Sequence, residues 1–438
     1  MSGQPAEDGT ALSPTATIAR DLIRFDTSNR GGGDANGEAE AAEYLGARLE
    51  AMGLRPEYFE SAPRRTSLVA RVPGRDPSQP ALVVHGHTDV VPADPASWNV
   101  DPFAGEVRDG LLWGRGAVDM KDMDAMIVQS LADILDGGRL PERELVIAFF
   151  ADEENGGVLG SHWAVEQRPE LFAGATEAIS EVGGYSVDIA GHRAYLLQTG
   201  EKALVWARLV AEGRAAHGSR VIRDNAVTRL AEAVVRIGHL DWPVRLTTTT
   251  EALLARLAEL LPAQAGADPD TLILATGSAA GFLQATIRTT SNPTVLRAGY
   301  KHNVIPERAE ALIDIRTLPG QEDEVIAEIR ATLPRGVVLE ILHRDIGLEN
   351  AFGGELVDRM VRTLQRHDPG AHVLPYLMSG GTDNKALARL GIRGYGFAPL
   401  RLGPDLDFPA MFHGIDERVP LDALDWGTSV LTDFLLGE

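Results

Sequence analysis

Hydrophobic positions along the chain follow two spacings, and the order in which they alternate outlines the elements. After Ser13-Pro14, where proline suits a first helical turn, Ile18, Leu22 and Phe25 share one face and predict a helix. A Gly-rich linker (Gly31 to Gly33, Gly37) leads to a second helix bearing Tyr44, Leu45, Leu49 and Met52, stopped by Gly53. Ser67 to Val72 alternates as a strand and Pro73-Gly74 turns it. Three apolar runs of a different kind follow: Leu82-Val83-Val84, Glu144 to Phe150 and Ala178-Ile179. Continuous apolar stretches of this length predict parallel strands buried on both faces. Each ends abruptly in chemistry, respectively His85-Gly86-His87-Thr88-Asp89, Asp152-Glu153-Glu154-Asn155 and Ser180-Glu181. Between the first two, an irregular segment from Trp98 to Gly110 and Leu111 to Lys121 feed a helix ending near Leu135, with Asp119 at the junction.

From about Glu201 the pattern changes. Ala203 to Val210 alternates, Asp224 is expected to cap a helix through about Ile237, and Ala285 to Thr290, Val295 to Ala298 and Ala311 to Arg316 read as antiparallel strands. A helix at 322–333 and a strand from Val337 to Leu342 close this part, and Glu251 to Leu261 is a helical excursion within it. From about Gly353 the chain returns to α/β alternation. The expected organisation is a catalytic domain over 1–200 and 349–438, interrupted by an inserted α+β unit over 201–348. Residues 1 to about 12 read as a disordered lead.

Composition narrows the chemistry. A chain of 438 residues exceeds what one core usually supports. A formal net charge of -22 without a basic patch argues against nucleic-acid and anionic-membrane partners. Cysteine is absent from the chain, so thiolate nucleophiles, disulfides and thiolate zinc sites are excluded and any metal rests on His and carboxylates. No apolar leader or span-length stretch is seen, which makes the cytoplasm the default expectation.

Ligand sites of open α/β sheets lie at the carboxyl ends of the strands. His87 is a candidate metal ligand there, with Asp89 as the carboxylate that anchors its ring, although a His-x-Asp at a strand end is also an ordinary polar loop. Asp119 can reach the same edge or serve as a helix N-cap. Two adjacent glutamates point in different directions, so one of Glu153 and Glu154 can bind metal while the other serves as general base; a solvated acidic loop is the alternative. Glu181 is presented in the same way as this pair. His413, in Met411-Phe412-His413-Gly414, is a second imidazole, or a surface-loop histidine. Gly380 and Gly381, in a turn before a helix, can offer backbone N–H groups. His85, His162, His192, His239, His302, His343, His367 and His372 receive no role.

In this order the pieces resemble the M20 family of metallopeptidases and aminoacylases, closest to the carboxypeptidase S and N-acyl-amino-acid hydrolase branch. The resemblance rests on His87-Thr88-Asp89, Gly114-Arg115-Gly116 through Asp119-Met120-Lys121, Asp152-Glu153-Glu154, Glu181-Val182-Gly183-Gly184, Ala216-His217-Gly218-Ser219, Asn303-Val304-Ile305-Pro306 and His413-Gly414. It implies a zinc-peptidase-like α/β catalytic domain, with a mixed, largely parallel sheet, and an inserted lid or dimerisation domain. It implies two divalent metals, zinc with manganese or cobalt as alternatives: one held by His87, Asp119 and Glu181, the other by Asp119, Glu154 and His413. By the same resemblance Glu153 is the general base, His217 the lid donor to the developing oxyanion, and a cis peptide follows Asp119. Arg316 and Asn303 are its candidates for gripping a carboxylate and an amide, with Arg316 equally able to satisfy its own strand. The implied activity is hydrolysis of an amide or peptide bond next to a free carboxylate, by an exopeptidase, carboxypeptidase or dipeptidase, alternatively by an aminoacylase acting on N-acyl amino acids. A catalytically silent binding protein is a third reading, disfavoured because every ligand and base position is filled. A homodimer through the inserted domain is expected.

Overall fold

The computed structural model describes residues 11–438, so the expected lead lies outside the described residues up to position 10. Its contacts divide the chain into two compact units. One runs through Gln198 and resumes over 352–374 and 382–438; the other comprises 199–351 and 375–381.

The first unit is built on a mixed sheet that includes, in spatial order, Glu57–Ala62, Arg65–Val72, Leu145–Phe150, Ala81–His87, Ala175–Ser180, Arg393–Gly396 and His192–Glu201, with Ser186–Ile189 also paired to the last of these. The four from Leu145–Phe150 to Arg393–Gly396 run parallel, and the flanking pairs are antiparallel. Parallel neighbours need crossover connections, which the helices Lys121–Asp136 and Ser161–Gln167 provide. Lys121–Asp136 packs with Pro14–Ile23 and Leu421–Leu436. In a separate cluster Val83, Val146 and Ala178 meet Ala164, Val165, Ala386 and Leu387 of two short helices. Burial on both faces is why Ala81–His87 and Leu145–Phe150 are apolar without alternation until their ends. Close helix packing also dictates Gly86, where a Cβ would lie 2.1 Å from the Asp124 carboxylate. The register sets His87 beside Phe150 and Val84 beside Ile179. Asp89, Asp152 to Glu154 and Glu181 therefore emerge along one edge of the sheet.

Glu106–Arg108, inside the segment expected to be irregular, and Leu111–Trp113, expected only to lead into the helix, are short strands, and Leu111–Trp113 lies between Glu106–Arg108 and Arg418–Pro420. This pairing carries the late loop around His413 to its place in the unit.

The second unit holds an antiparallel sheet ordered Thr290–Ala298, Arg308–Thr317, Ala203–Glu212, Val337–Arg344. The helices Ala226–Gly238 and Glu322–Thr332 cover one face through Leu230, Ile237, Val325 and Ile329. Two local expectations change. Residues 284–287 form a helical turn, within which the Thr286 hydroxyl donates to the Leu283 carbonyl at 2.8 Å, and the strand begins at Thr290. The cap of Ala226–Gly238 is Asn225, which accepts the Val227 N–H at 2.9 Å, while Asp224 is engaged by Arg229. Asn and Asp cap equally well, so local pairing decides between them. Among the described residues no helix is long and apolar enough to cross a membrane.

Candidate metal centre and active site

His87 closes its strand with its ring 1% exposed. Its Nδ1 donates to the backbone carbonyl of Asp89 at 3.0 Å, which turns Nε2 toward Asp119 Oδ1 at 3.1 Å and Glu181 Oε2 at 3.6 Å. The Asp89 carboxylate, expected to anchor the ring, has its Oδ1 3.6 Å from the same Nδ1, so the carbonyl of that residue makes the shorter contact. The carboxylate instead accepts the backbone N–H of Glu153 at 3.0 Å, that of Glu154 at 3.2 Å and the Asn29 amide at 2.8 Å. Three donors around one carboxylate satisfy it in the interior, so it shapes the glutamate turn.

Asp119 stands between the two imidazoles. Its Oδ1 faces His87, and its Oδ2 lies 3.2 Å from His413 Nε2, which is in turn 3.1 Å from Glu154 Oε2. The Asp119–Met120 peptide is cis. Glu153 Oε2 lies 3.9 Å from His87 Nε2. Two overlapping groups, His87 with Asp119 and Glu154, and His87 with Glu153 and Glu181, each keep their donor atoms within 4.8 Å of one another. His413 is the exposed member, with 58% of its side chain accessible, on a loop where its own φ is +59°.

Electrostatics shows what this cluster requires. Burial, then repulsion from neighbouring carboxylates, pushes Glu153 and Glu154 up and raises Glu181 to about 8. Hydrogen bonds to Asp119 and Glu154 push His413 up to about 11. Burial opposes charge on His87, yet Glu181 and Asp119 hold it well above the usual imidazole range. Carboxylates and imidazoles thus share protons where divalent cations would satisfy all of them, and oxygen and imidazole donors suit zinc, manganese or cobalt. The residues fit such a centre.

A buried support beneath it went unassigned in the sequence. Glu417 accepts Arg115 Nη1 at 2.7 Å and the N–H groups of Gly116, Val118 and Asp119 at 2.8–3.1 Å. Arg115 also donates to the Gly414 carbonyl at 2.8 Å, tying the Asp119 loop to the His413 loop. Gly114-Arg115-Gly116 was visible as a motif, but nothing local pairs Arg115 with a residue 302 positions away. Similarly His85 has a structural partner: its Nε2 meets Asn384 Oδ1 at 2.9 Å, and burial pushes it down to about 4, keeping it neutral.

The remaining candidates lie in the second unit. His217 is exposed, in a two-residue bridge with Val304, its Nδ1 2.8 Å from Ser219 Oγ. Asn303 accepts the Gly218 N–H at 2.8 Å through its carbonyl, holding that turn. Arg316 directs Nε and Nη2 to Asp314 at 2.7 and 3.0 Å, so it satisfies its own strand. Gly380 and Gly381 fall within 375–381 of the same unit.

The model of peptidase family M20/M25/M40 matches residues 83–437. The chain belongs to that family. Among curated M20 relatives, N-fatty-acyl-amino acid synthase/hydrolase PM20D1 of Xenopus tropicalis is 29% identical over 395 residues, spanning 81% of this chain and 72% of that protein. Human aminoacylase-1 is 27% identical over 443 residues, spanning 96% and 94%. The M20 metallo-carboxypeptidase Sso-CP2 from Sulfolobus solfataricus shares the fold, with TM-score 0.75 at 17% identity over 97% and 99% of the two chains. As an M20 member the chain is a metallohydrolase, and the carboxylate–imidazole cluster is a group of residues that could hold a metal ion.

Proposed function

We propose that this M20 hydrolase cleaves the amide bond of N-acyl amino acids, leaving a free amino acid and a carboxylic acid. The observation that carries the reading is Glu153, half-buried beside His87 and next in sequence to Glu154 of the metal cluster. Zinc ions at His87, Asp119 and Glu181 and at Asp119, Glu154 and His413 would supply Lewis-acid polarisation of water and carbonyl. Glu153 takes the proton of the attacking water, the hydroxyl adds to the scissile carbonyl, and Glu153 returns the proton to the leaving amine. Its burial suits the task, because a carboxyl raised toward neutrality can both accept and donate. His217 donates to the developing oxyanion and Asn303 to the substrate amide. Arg316 receives the substrate carboxylate by exchanging it for Asp314, and the Gly380 and Gly381 backbone supports the substrate beside it.

The names of the curated relatives favour acyl amino acids over dipeptides. Carboxypeptidase or dipeptidase action is the second reading, since a dipeptide offers the same amide beside a free carboxylate. A panel of N-acetyl amino acids, long-chain N-acyl amino acids and dipeptides decides: cleavage of dipeptides alone would overturn the acylase reading. We also read the native state as a zinc-loaded homodimer through the second unit, in the cytoplasm. Metal analysis and light scattering test the first two, and a clear monomer would require His217 to act within its own chain.

A further inference from the structure

The turn bearing Glu153 and Glu154 is fastened by a chain of buried charges that takes no part in the metal cluster. Asp152 opens that turn with φ +69°, a left-handed conformation that aspartate tolerates better than most residues. Its Oδ2 accepts the Leu159 N–H at 2.8 Å, and its Oδ1 accepts Arg65 Nη2 at 2.6 Å and Asn29 Nδ2 at 3.1 Å. The same Asn29 nitrogen donates to Asp89 Oδ2 at 2.8 Å, and Asp89 in turn receives the N–H groups of Glu153 and Glu154. One amide with two N–H bonds thus holds two carboxylates at a separation that their repulsion opposes. Arg65 also faces Glu38 Oε1 at 3.1 Å. Glu38 is fully buried, and burial followed by the field of Asp89 pushes it up to about 8. A neutral Glu38 leaves the Arg65 charge to Asp152.

We propose that Arg65 is a positioning residue for Glu153, acting through Asp152 and Asn29 to hold the Asp89 carboxylate and the 152–154 turn in one geometry. Arg65 touches neither substrate nor metal ligand in this role. The proposal rests on the reading of Glu153 as the proton acceptor.

The test compares Arg65→Met, Arg65→Lys and Asn29→Ala with the parent enzyme, all metal-loaded, on an N-acetyl amino acid, alongside metal content and amide exchange over residues 150–160. Arg65→Met is expected to lower kcat about 10–100-fold, the usual range for outer-shell partners, while leaving KM and metal content unchanged. Exchange at the Glu153 and Glu154 amides speeds up, and Arg65→Lys recovers part of kcat. In a Glu153→Ala background, Arg65→Met adds no further loss, because its effect passes through Glu153. Unchanged kcat with unchanged amide exchange overturns the proposal, as does an equal loss of rate in the Glu153→Ala background. If Arg65→Met does not fold, Asn29→Ala carries the same expectations, since it severs the Asp89–Asp152 link. Full turnover by Glu153→Ala would remove the underlying reading alone, because amide exchange in Arg65→Met still reports whether Arg65 holds the turn.

Discussion

Asp89 Oδ1 accepts the backbone N–H of Glu153 at 3.0 Å, so the motif that delivers His87 also aims the glutamate of the next strand. Replacing Asp89 by Ala removes the acceptor for two amides and leaves Asn29 unpaired on that side. The expected outcome is a kcat loss of about 10–100-fold with His87 still anchored by the backbone carbonyl. Steady-state kinetics with metal analysis checks it; loss of metal in proportion to activity would instead show that Asp89 acts by holding the metal ligands His87 or Glu154.

Replacing Glu153 by Ala is expected to reduce turnover by about 10²–10⁴-fold, the range of a general base, while both metals stay bound. Unchanged hydrolysis in that variant would refute the assigned proton acceptor.

Metal loading should release protons. The raised pKa values of His413 and Glu181 mean that the metal-free cluster holds protons at neutral pH, and a cation competes for the same lone pairs. Titrating chelator-treated enzyme with zinc in weak buffer should acidify the solution, raise Tm and restore activity. Full activity in metal-free protein would end the metallohydrolase mechanism.

Breaking the Arg115–Glu417 pair leaves a carboxylate in a site where neither side chain is more than 4% exposed. Arg115→Met is expected to destabilise the protein by about 3–5 kcal/mol in urea unfolding. Adding Glu417→Gln should return part of that loss, because the uncompensated charge goes with it.

Lys202 predicts a pH dependence within the second unit. Its ammonium is buried against the carbonyls of Ala285 and Arg288, and burial, then the nearby Arg316, pushes it down to about 7 from 10.5. Between those two values the unfolded chain holds a proton that the folded chain lacks, so unfolding takes up a proton and stability rises with pH. Below about pH 7 both states are protonated and this contribution is flat. The slope from Lys202 is at most about 1.4 kcal/mol per pH unit and should vanish in Lys202→Met; an unchanged slope would place the titration elsewhere.

Much of this was readable in one dimension, because burial on two faces forces a parallel strand to be apolar until the chain reaches the edge. Leu82 to Val84 and Glu144 to Phe150 announced their strands, and the polar residues ending them announced the site. Short or edge elements were less readable. Leu111 to Trp113 pairs with Glu106–Arg108 nearby and with Arg418–Pro420 far along the chain, and residues 284–287 form a helical turn where apolar spacing suggested a strand.

By itself the sequence determined the fold class, the absence of thiolate chemistry and the carboxylate and imidazole types that stand at the sheet edge, since periodicity and residue chemistry are local properties. Only the tertiary structure decided which oxygen anchors His87, that the Asp89 carboxylate serves Glu153 and Glu154, and that Arg115 finds Glu417 and Arg65 finds Asp152. Hydrogen-bond partners depend on distances of about 3 Å between segments far apart in the chain, and no spacing along it records them.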